Sequence, residues 1–149
     1  MTAEFPPIAA LLPHAGPMRL LERVLAHDAE GTRCAVLPGR SALFRDAAGR
    51  VPCWVAIEVM AQCAAADGSL RGRARGDAAR PALFLGSRRI VFHRDGFDAS
   101  ERLEVTARLG AGRPGGLLAF DCTVRDAAGE PLAEGRLNVL AGGVSGAGR

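Results

Sequence analysis

The sequence predicts an α+β fold in which a curved antiparallel β-sheet wraps around one long central α-helix. The helix is predicted over residues 52–67, which accept Pro52 at the first helical position. Because these residues are mostly apolar or small, we expect the helix to be buried on all sides. Four strand candidates follow, at residues 82–94, 101–109, 118–124 and 132–140. The last three alternate apolar and polar side chains, which is typical of an antiparallel sheet with one buried face. Because no other predicted surface is broad and apolar enough to cover the helix, we expect the sheet to wrap around it.

The remaining segments complete this arrangement. A short helical turn is expected within residues 5–13, and a two-stranded hairpin with its turn at residues 28–31 precedes the central helix. Residues 38–50 are predicted to form a loop that leads into the helix. Residues 67–80 are rich in glycine and arginine, so we expect the helix to stop near Gly68 and a mobile segment to follow.

The length of 149 residues fits one domain with a core of its own. We expect that domain to span residues 1–141. The small residues 142–149 have nothing to pack against and are predicted to form a flexible tail.

Composition limits the partners and the cellular location. The net charge is +3, and the absence of tyrosine together with few other aromatic residues argues against nucleic acid, whose bases stack on aromatic rings. No segment approaches the roughly 20 apolar residues that a membrane-spanning helix needs, and the start of the sequence has no signal-peptide pattern. The four cysteines and three histidines fall at no metal-ligand spacing. We therefore expect a cytoplasmic protein with reduced thiols, no metal and no cofactor.

Glu58 and Gln62 are polar residues within the apolar helix, and their spacing of four places them on one face, about one turn apart. A carboxylate inside an apolar helix is costly unless it is paired, hydrogen-bonded or protonated. Two interpretations of Glu58 stay open. Its face of the helix reaches solvent or an arginine, or it is a largely buried general acid/base in an apolar site.

The order of elements and several motifs resemble the hotdog-fold 3-hydroxyacyl-[acyl carrier protein] dehydratases of fatty-acid synthesis. The family's Leu-Pro-His…Leu-Leu-x-x-Arg-Val segment is similar to residues 12–24, and the Ile-Glu-x-x-Ala-Gln motif of its central helix is similar to residues 57–62. A Phe-Leu-Gly strand at residues 84–86 and a hairpin at residues 124–134 match as well. The resemblance spans residues 8–141. It is closest to the branch found with aryl polyene pigment biosynthesis, whose dehydratase-like subunits occur in pairs.

The resemblance implies a hotdog fold and a cofactor-free hydro-lyase that acts on thioesters of an acyl carrier protein. It also implies a homodimer, or a heteromer with a second hotdog subunit. We expect two subunits to pair edge to edge through the strand at residues 82–94, because such pairing removes an exposed sheet edge.

One departure from the family concerns the catalytic histidine, which lies in a His-Phe-Pro-Gly loop fourteen residues before the helix glutamate. This chain has Phe44 there. Dehydration needs a base for the C2 proton and an acid for the departing hydroxide. Besides Glu58, His14 is the best second group, although a structural histidine in its bend is the alternative. Asp46 fits a solvated loop, and His93 a surface position.

Further site residues follow from the same resemblance. Gln62 is expected to orient the substrate or its leaving hydroxyl. The main-chain amides of Cys53 and Trp54, at the helix start, are candidates to hold the thioester oxygen, and Phe44 is expected to line the same site. Carrier docking is assigned to three basic residues, with a solvated surface as the alternative: Arg73, Arg88 and Arg89.

Three functions therefore stay open. The first is a dehydratase, which retention of Glu58 and Gln62 favours. The second is a non-catalytic subunit that supports an active hotdog dehydratase, which Phe44 in place of histidine favours. The third is an acyl thioesterase or acyl-thioester binder of the same fold, because a lone carboxylate with water suffices in such enzymes. Because only the glutamate keeps its family position, the chain alone is expected to be slow or inactive without its partner.

Overall fold

The computed structural model describes residues 4–14, 16–36, 44–77, 83–110 and 114–140. The helices are α1 (Ile8–Leu11) and α2 (Val55–Arg75). The strands are β1 (Leu21–His27), β2 (Gly31–Val36), β3 (Arg50–Pro52), β4 (Leu83–Phe92), β5 (Gly96–Asp98), β6 (Leu103–Leu109), β7 (Leu117–Arg125) and β8 (Pro131–Leu140).

Six strands form one antiparallel sheet in the order β1-β2-β6-β7-β8-β4. Its inner face is apolar: Cys34 on β2 lies opposite Val105 on β6, Phe120 on β7 lies opposite Leu137 on β8, and all four are fully buried. α2 packs across this face and contacts β1, β2, β6, β7 and β8. The predicted α+β architecture, a sheet wrapped around one central helix, is confirmed. No helix within the described residues is long and apolar enough to cross a membrane.

The start of α2 differs from the prediction. The helix begins at Val55, because Pro52 ends β3 instead of opening the helix. β3 pairs with β5 in a separate two-stranded sheet that the sequence analysis missed. Next to it, the amide of Cys53 donates a hydrogen bond to the carbonyl of Asp95 over 2.9 Å. This small sheet fixes the point at which the chain turns into the helix.

The end of α2 also lies further along the chain. The helix continues through Gly68, since a glycine inside a helix costs only about 1 kcal/mol relative to alanine, and Leu70 beyond it is buried. Gly76, with a left-handed φ of 75°, forms the C-cap. The prediction of a mobile segment after Gly68 is therefore wrong as far as Asp77, and residues 78–82 lie outside the described residues.

The other predicted segments are largely found where expected. The hairpin is β1 and β2, the short helical turn is α1, and the long strand is β4, with a register shift next to Gly86. Residues 38–43 of the predicted loop 38–50 and all of the predicted tail 142–149 lie outside the described residues, so the domain boundary stays a prediction.

Two apolar surfaces are left uncovered by the described residues. One is the side of α2 that faces away from the sheet, where Trp54 is 55% exposed and Ile57, Ala61 and Ala65 are half-buried. The other is edge strand β4, which exposes five large side chains: Leu83, Phe84, Leu85, Val91 and Phe92. The expectation of a helix buried on all sides is therefore wrong for the isolated chain. Exposed apolar patches of this kind mark interaction sites.

Candidate functional site

The structure brings His14 and Glu58 together. Glu58 lies in the first turn of α2, and His14 lies in the bend that follows α1. The distance from Nε2 of His14 to Oε1 of Glu58 is 3.4 Å. The side chains are 29% and 34% exposed, respectively, so both are accessible from one side. A titratable pair at an accessible point next to an apolar surface is an arrangement suited to proton transfer.

Of the two interpretations of Glu58, its exposure contradicts the one in which the carboxylate is largely buried. Glu58 projects from the side of α2 that faces away from the sheet, next to Ile57 and one turn after Trp54. The sheet covers the opposite side of the helix. His14 and Gln62 contact Oε1 of the carboxylate, and one third of the Glu58 side chain stays exposed.

The Nδ1 atom of His14 is buried and has no hydrogen-bond partner in the described part of the chain. A neutral imidazole carries its proton on one nitrogen and a lone pair on the other. With Nε2 facing a carboxylate, the tautomer that suits this site has the proton on Nε2 and the lone pair on Nδ1. Only Nε2 is then available to a substrate.

The side chain of Gln62 is fully buried and hydrogen-bonded on all sides. Its Nε2 donates to the carbonyl oxygen of Met18 over 2.6 Å and to Oε1 of Glu58 over 3.1 Å. Its Oε1 accepts the amide proton of Leu20 over 3.0 Å. Since a carboxamide has two N–H donors, none is left for a substrate hydroxyl. The expectation that Gln62 orients the substrate directly is therefore corrected.

The expectation that the main-chain amide of Cys53 holds the thioester oxygen is corrected as well. Its amide is already bonded to Asp95, so it has no free N–H for a thioester oxygen. Its thiol is buried with Sγ 3.8 Å from the carbonyl oxygen of Leu132, and burial raises the thiol pKa. Cys53 is a packing residue in this structure.

Trp54 and Phe44 lie at the start of α2 and contact each other. Their ring centroids are 5.8 Å apart with an interplanar angle of 85°, an edge-to-face aromatic pair. Trp54 is one turn before Glu58, and among the described residues its amide has no hydrogen-bond acceptor. Phe44 thus packs against an exposed indole near the carboxylate.

The three arginines assigned to carrier docking do not form one surface. Arg73 lies in the last turn of α2 and donates from Nη2 to the carbonyl oxygen of Ala10. Arg88 and Arg89 lie on β4 and line an open groove of about 510 Å³ together with Arg136. In the described residues neither Arg88 nor Arg89 has an ion-pair partner, whereas Arg136 is bonded to Asp121.

The most deeply buried carboxylate of α2 is Asp67, which the sequence analysis did not single out. It accepts a hydrogen bond from Thr32 on β2 and an ion-paired one from Arg71, over 2.8 and 2.6 Å. His27 on β1 approaches the same carboxylate within 3.5 Å. This network ties the C-terminal half of the helix to the β1–β2 hairpin. The four-residue spacing of Asp67 and Arg71 was the available sequence signal.

Known proteins similar to this chain include a dehydratase family and solved structures that share its fold. A family model described as ApeP-like, ApeP dehydratase, matches residues 6–143. The dehydratase heterocomplex ApeI:P from Xenorhabdus doucetiae contains a chain with 27% identity and a TM-score of 0.83, covering 92% of this chain and 91% of that one. No curated protein sequence matches the chain.

More distant structures support the fold alone. The PaaI protein of the E. coli phenylacetic acid degradation operon is 13% identical with a TM-score of 0.61, covering 79% of this chain and 81% of that one. A hypothetical thioesterase with coenzyme A from Streptococcus pneumoniae is 8% identical with a TM-score of 0.55, covering 78% and 82%. The predicted hotdog fold is confirmed by these structures together with the Xenorhabdus complex.

Proposed function

The chain belongs to the ApeP-like family of dehydratases, and from this premise we propose that it dehydrates 3-hydroxyacyl thioesters of an acyl carrier protein. The pathway proposed is the cytoplasmic synthesis of aryl polyene or fatty-acid-type chains. The observation that carries the proposal is the approach of His14 Nε2 to Glu58 Oε1 within 3.4 Å. It supplies a second titratable group although the family histidine is replaced by Phe44.

The chemistry requires two proton transfers on neighbouring carbons. One proton leaves C2, a double bond forms between C2 and C3, and the C3–O bond breaks. The departing hydroxide takes up a proton and leaves as water. The His14–Glu58 pair accepts the first proton and returns one to the hydroxide, so its protonation state is restored after each turnover.

The thioester oxygen gains negative charge when the C2 proton leaves. The amide of Trp54 is the proposed donor, because it lies at the positive end of α2 and one turn from Glu58. Cys53 is not part of this proposal, since its amide is bonded to Asp95. The exposed indole of Trp54 and the ring of Phe44 are proposed to line the acyl chain next to the reacting carbons.

A second hotdog subunit is the proposed partner. The relative from Xenorhabdus belongs to a dehydratase heterocomplex. In this chain, edge strand β4 exposes a row of large apolar side chains, and the outer side of α2 is uncovered. Pairing of β4 with a strand of the partner supplies hydrogen bonds to the unpaired edge of β4 and covers part of this apolar surface.

We expect Leu85→Lys, in the middle of the exposed β4 row, to abolish pairing with the second subunit. Because Leu85 is 54% exposed in the isolated chain, the fold should tolerate a lysine there. Burial in an interface would instead remove water from the lysine charge, which is costly. Sedimentation of the purified protein with its partner measures the effect. Ala74→Lys, an exposed position near the end of α2, is the matched control and should leave pairing intact. Unchanged assembly in Leu85→Lys would place the interface elsewhere.

The acidic carrier protein is proposed to bind at Arg88 and Arg89, whose guanidinium groups are free of ion-pair partners among the described residues. We expect Arg88→Ala combined with Arg89→Ala to weaken carrier binding by about three- to tenfold at low salt, since each exposed charge pair contributes roughly 0.2–1 kcal/mol. The difference should vanish near 1 M salt, where the screening length is about 3 Å. Arg73→Ala is the control, because Arg73 lies on α2, away from β4, and donates a hydrogen bond to the carbonyl oxygen of Ala10 in α1. Equal carrier affinities of the wild type and the double variant at low salt would contradict this proposed docking site.

The activity itself is tested by following dehydration of a 3-hydroxyacyl carrier protein. The chain is assayed alone and with the second subunit, whose own helix glutamate is replaced by glutamine so that any turnover belongs to this chain. Turnover by this chain in the complex is the expected result. Its absence in both conditions would favour a non-catalytic supporting subunit. Release of free acid without an enoyl product would identify a thioesterase.

A further inference from the structure

Gln62 connects α2 to a segment of the chain that lies more than 40 residues away in sequence. Its carboxamide donates to the carbonyl of Met18 and accepts the amide of Leu20. The two bonds flank one residue and fix both the position and the direction of the main chain there. The second amide hydrogen goes to Glu58. One buried side chain therefore binds both the main chain at residues 18–20 and the carboxylate of Glu58.

The segment held in this way is the one that carries His14. A short 3₁₀ turn at Gly16–Met18 follows the histidine, and the amide of Arg19 donates to the carbonyl of Gly16 over 3.1 Å. Met18, the last residue of this turn, is one of the two residues whose main-chain groups Gln62 binds, and it lies four positions after His14 in the sequence.

His14 has few other restraints. In the described part of the chain its Nδ1 has no hydrogen-bond partner, and its carbonyl receives only a long contact from Nη2 of Arg19, at 3.5 Å. The 3.4 Å separation from Glu58 is longer than a typical charge-assisted hydrogen bond of about 2.7–2.9 Å. The imidazole is therefore placed by its backbone and by packing, and not by strong hydrogen bonds of its own.

We infer that Gln62 is a positioning residue that acts on both members of the pair. It anchors the His14 segment through Met18 and Leu20, and it holds Oε1 of Glu58 so that Oε2 stays free. It touches no substrate, since both of its N–H donors are used within the protein. This inference deepens the proposed function and rests on it for its catalytic meaning. A displacement of about 1 Å in such a pair is enough to cost roughly 100-fold in rate.

The geometric part is tested without any activity measurement, by nitrogen NMR of the imidazole rings. The chain has three histidines, and comparison with a His14→Ala sample assigns the signals of His14. In the wild type we expect one tautomer, with the proton on Nε2. In Gln62→Met, which keeps the shape and loses every hydrogen bond, we expect the two nitrogen shifts to move towards each other as the ring samples both tautomers. Gln62→Asn, which keeps the amide but is one methylene too short, should do the same.

The matched control is Thr32→Val, which removes another buried hydrogen bond to α2, the one to Asp67. It should lower the melting temperature by a similar amount and leave the His14 signals and kcat unchanged. In the dehydration assay, both Gln62 variants should lose about 10- to 100-fold in kcat, with KM changed less than twofold.

Three results would overturn the inference. One is a His14 spectrum unchanged in the folded Gln62 variants. Another is a rise in KM at constant kcat, which would make Gln62 a substrate contact. The third needs no variant: rapid hydrogen exchange of the Gln62 carboxamide in the wild-type protein would show that the bonds to Met18 and Glu58 do not persist. If the NMR result holds while no dehydration is found, the proposed function fails and the positioning role stands.

Discussion

Glu58→Gln is expected to lower kcat for dehydration by about 10²–10⁴-fold, the contribution typical of a general acid or base. The amide keeps the size of the carboxylate, so its Oε1 still accepts the bond from Gln62 and the local structure is retained. What it loses is the ability to exchange a proton with the substrate. KM should change little, because the carboxylate is not expected to contribute to binding of the ground state. The rate is measured in the complex with a second subunit whose own glutamate is inactivated.

The matched control for this change is Glu104→Gln. Glu104 lies on β6 with an exposed side chain about 3.9 Å from Arg33, at a surface site away from α2. The same chemical change there should leave kcat unaltered. Equal rates for wild type and Glu58→Gln, alone and in the complex, would make the chain a supporting subunit without chemistry of its own.

His14→Ala has the second largest expected effect, again a loss of about 10²–10⁴-fold in kcat. Among the described residues, the His14 imidazole is the basic group that approaches the Glu58 carboxylate, with Nε2 3.4 Å from Oε1. Removal of the ring leaves one group for two proton transfers. The bend that carries it is held by main-chain and Gln62 bonds, so the fold should survive.

His93→Ala provides the comparison for this variant. His93 is exposed, and its Nε2 lies within hydrogen-bond distance of Oε2 of Glu134, at 2.8 Å. Its loss should not affect turnover. A fast His14→Ala enzyme that still depends on Glu58 would mean that another group, from this chain or from the partner, replaces the family histidine.

The sequence predicted the central helix and the six strands of the large sheet, but not their order in that sheet. It also singled out His14 and Glu58 as candidates for the chemistry. It could not predict their separation, because His14 is positioned by bonds between Gln62 and main-chain groups of a distant bend. A single sequence carries no record of such side chain to backbone contacts. The same limit explains why Gln62 was assigned to the substrate when the protein itself occupies its amide.

The local sequence pattern was also a poor guide to short elements and to element boundaries that are set by tertiary packing. β3 and β5 have three residues each, too few for a periodic signal. Gly68 is a common helix stop, yet burial of Leu70 carries the helix past it. Burial of the helix was predicted from its apolar composition, whereas the isolated chain leaves one side open. That open side is part of the surface that we propose for a second subunit.

The central claim, that His14 and Glu58 act as one pair, is tested most directly by a double-mutant cycle on kcat. His14→Ala, Glu58→Gln and the double variant are compared with wild type in the same complex. Residues that act as a unit give strongly non-additive effects. We predict that the double variant is no more than about threefold slower than the slower single variant. Losses that multiply would contradict the pairing and assign the two side chains to independent roles.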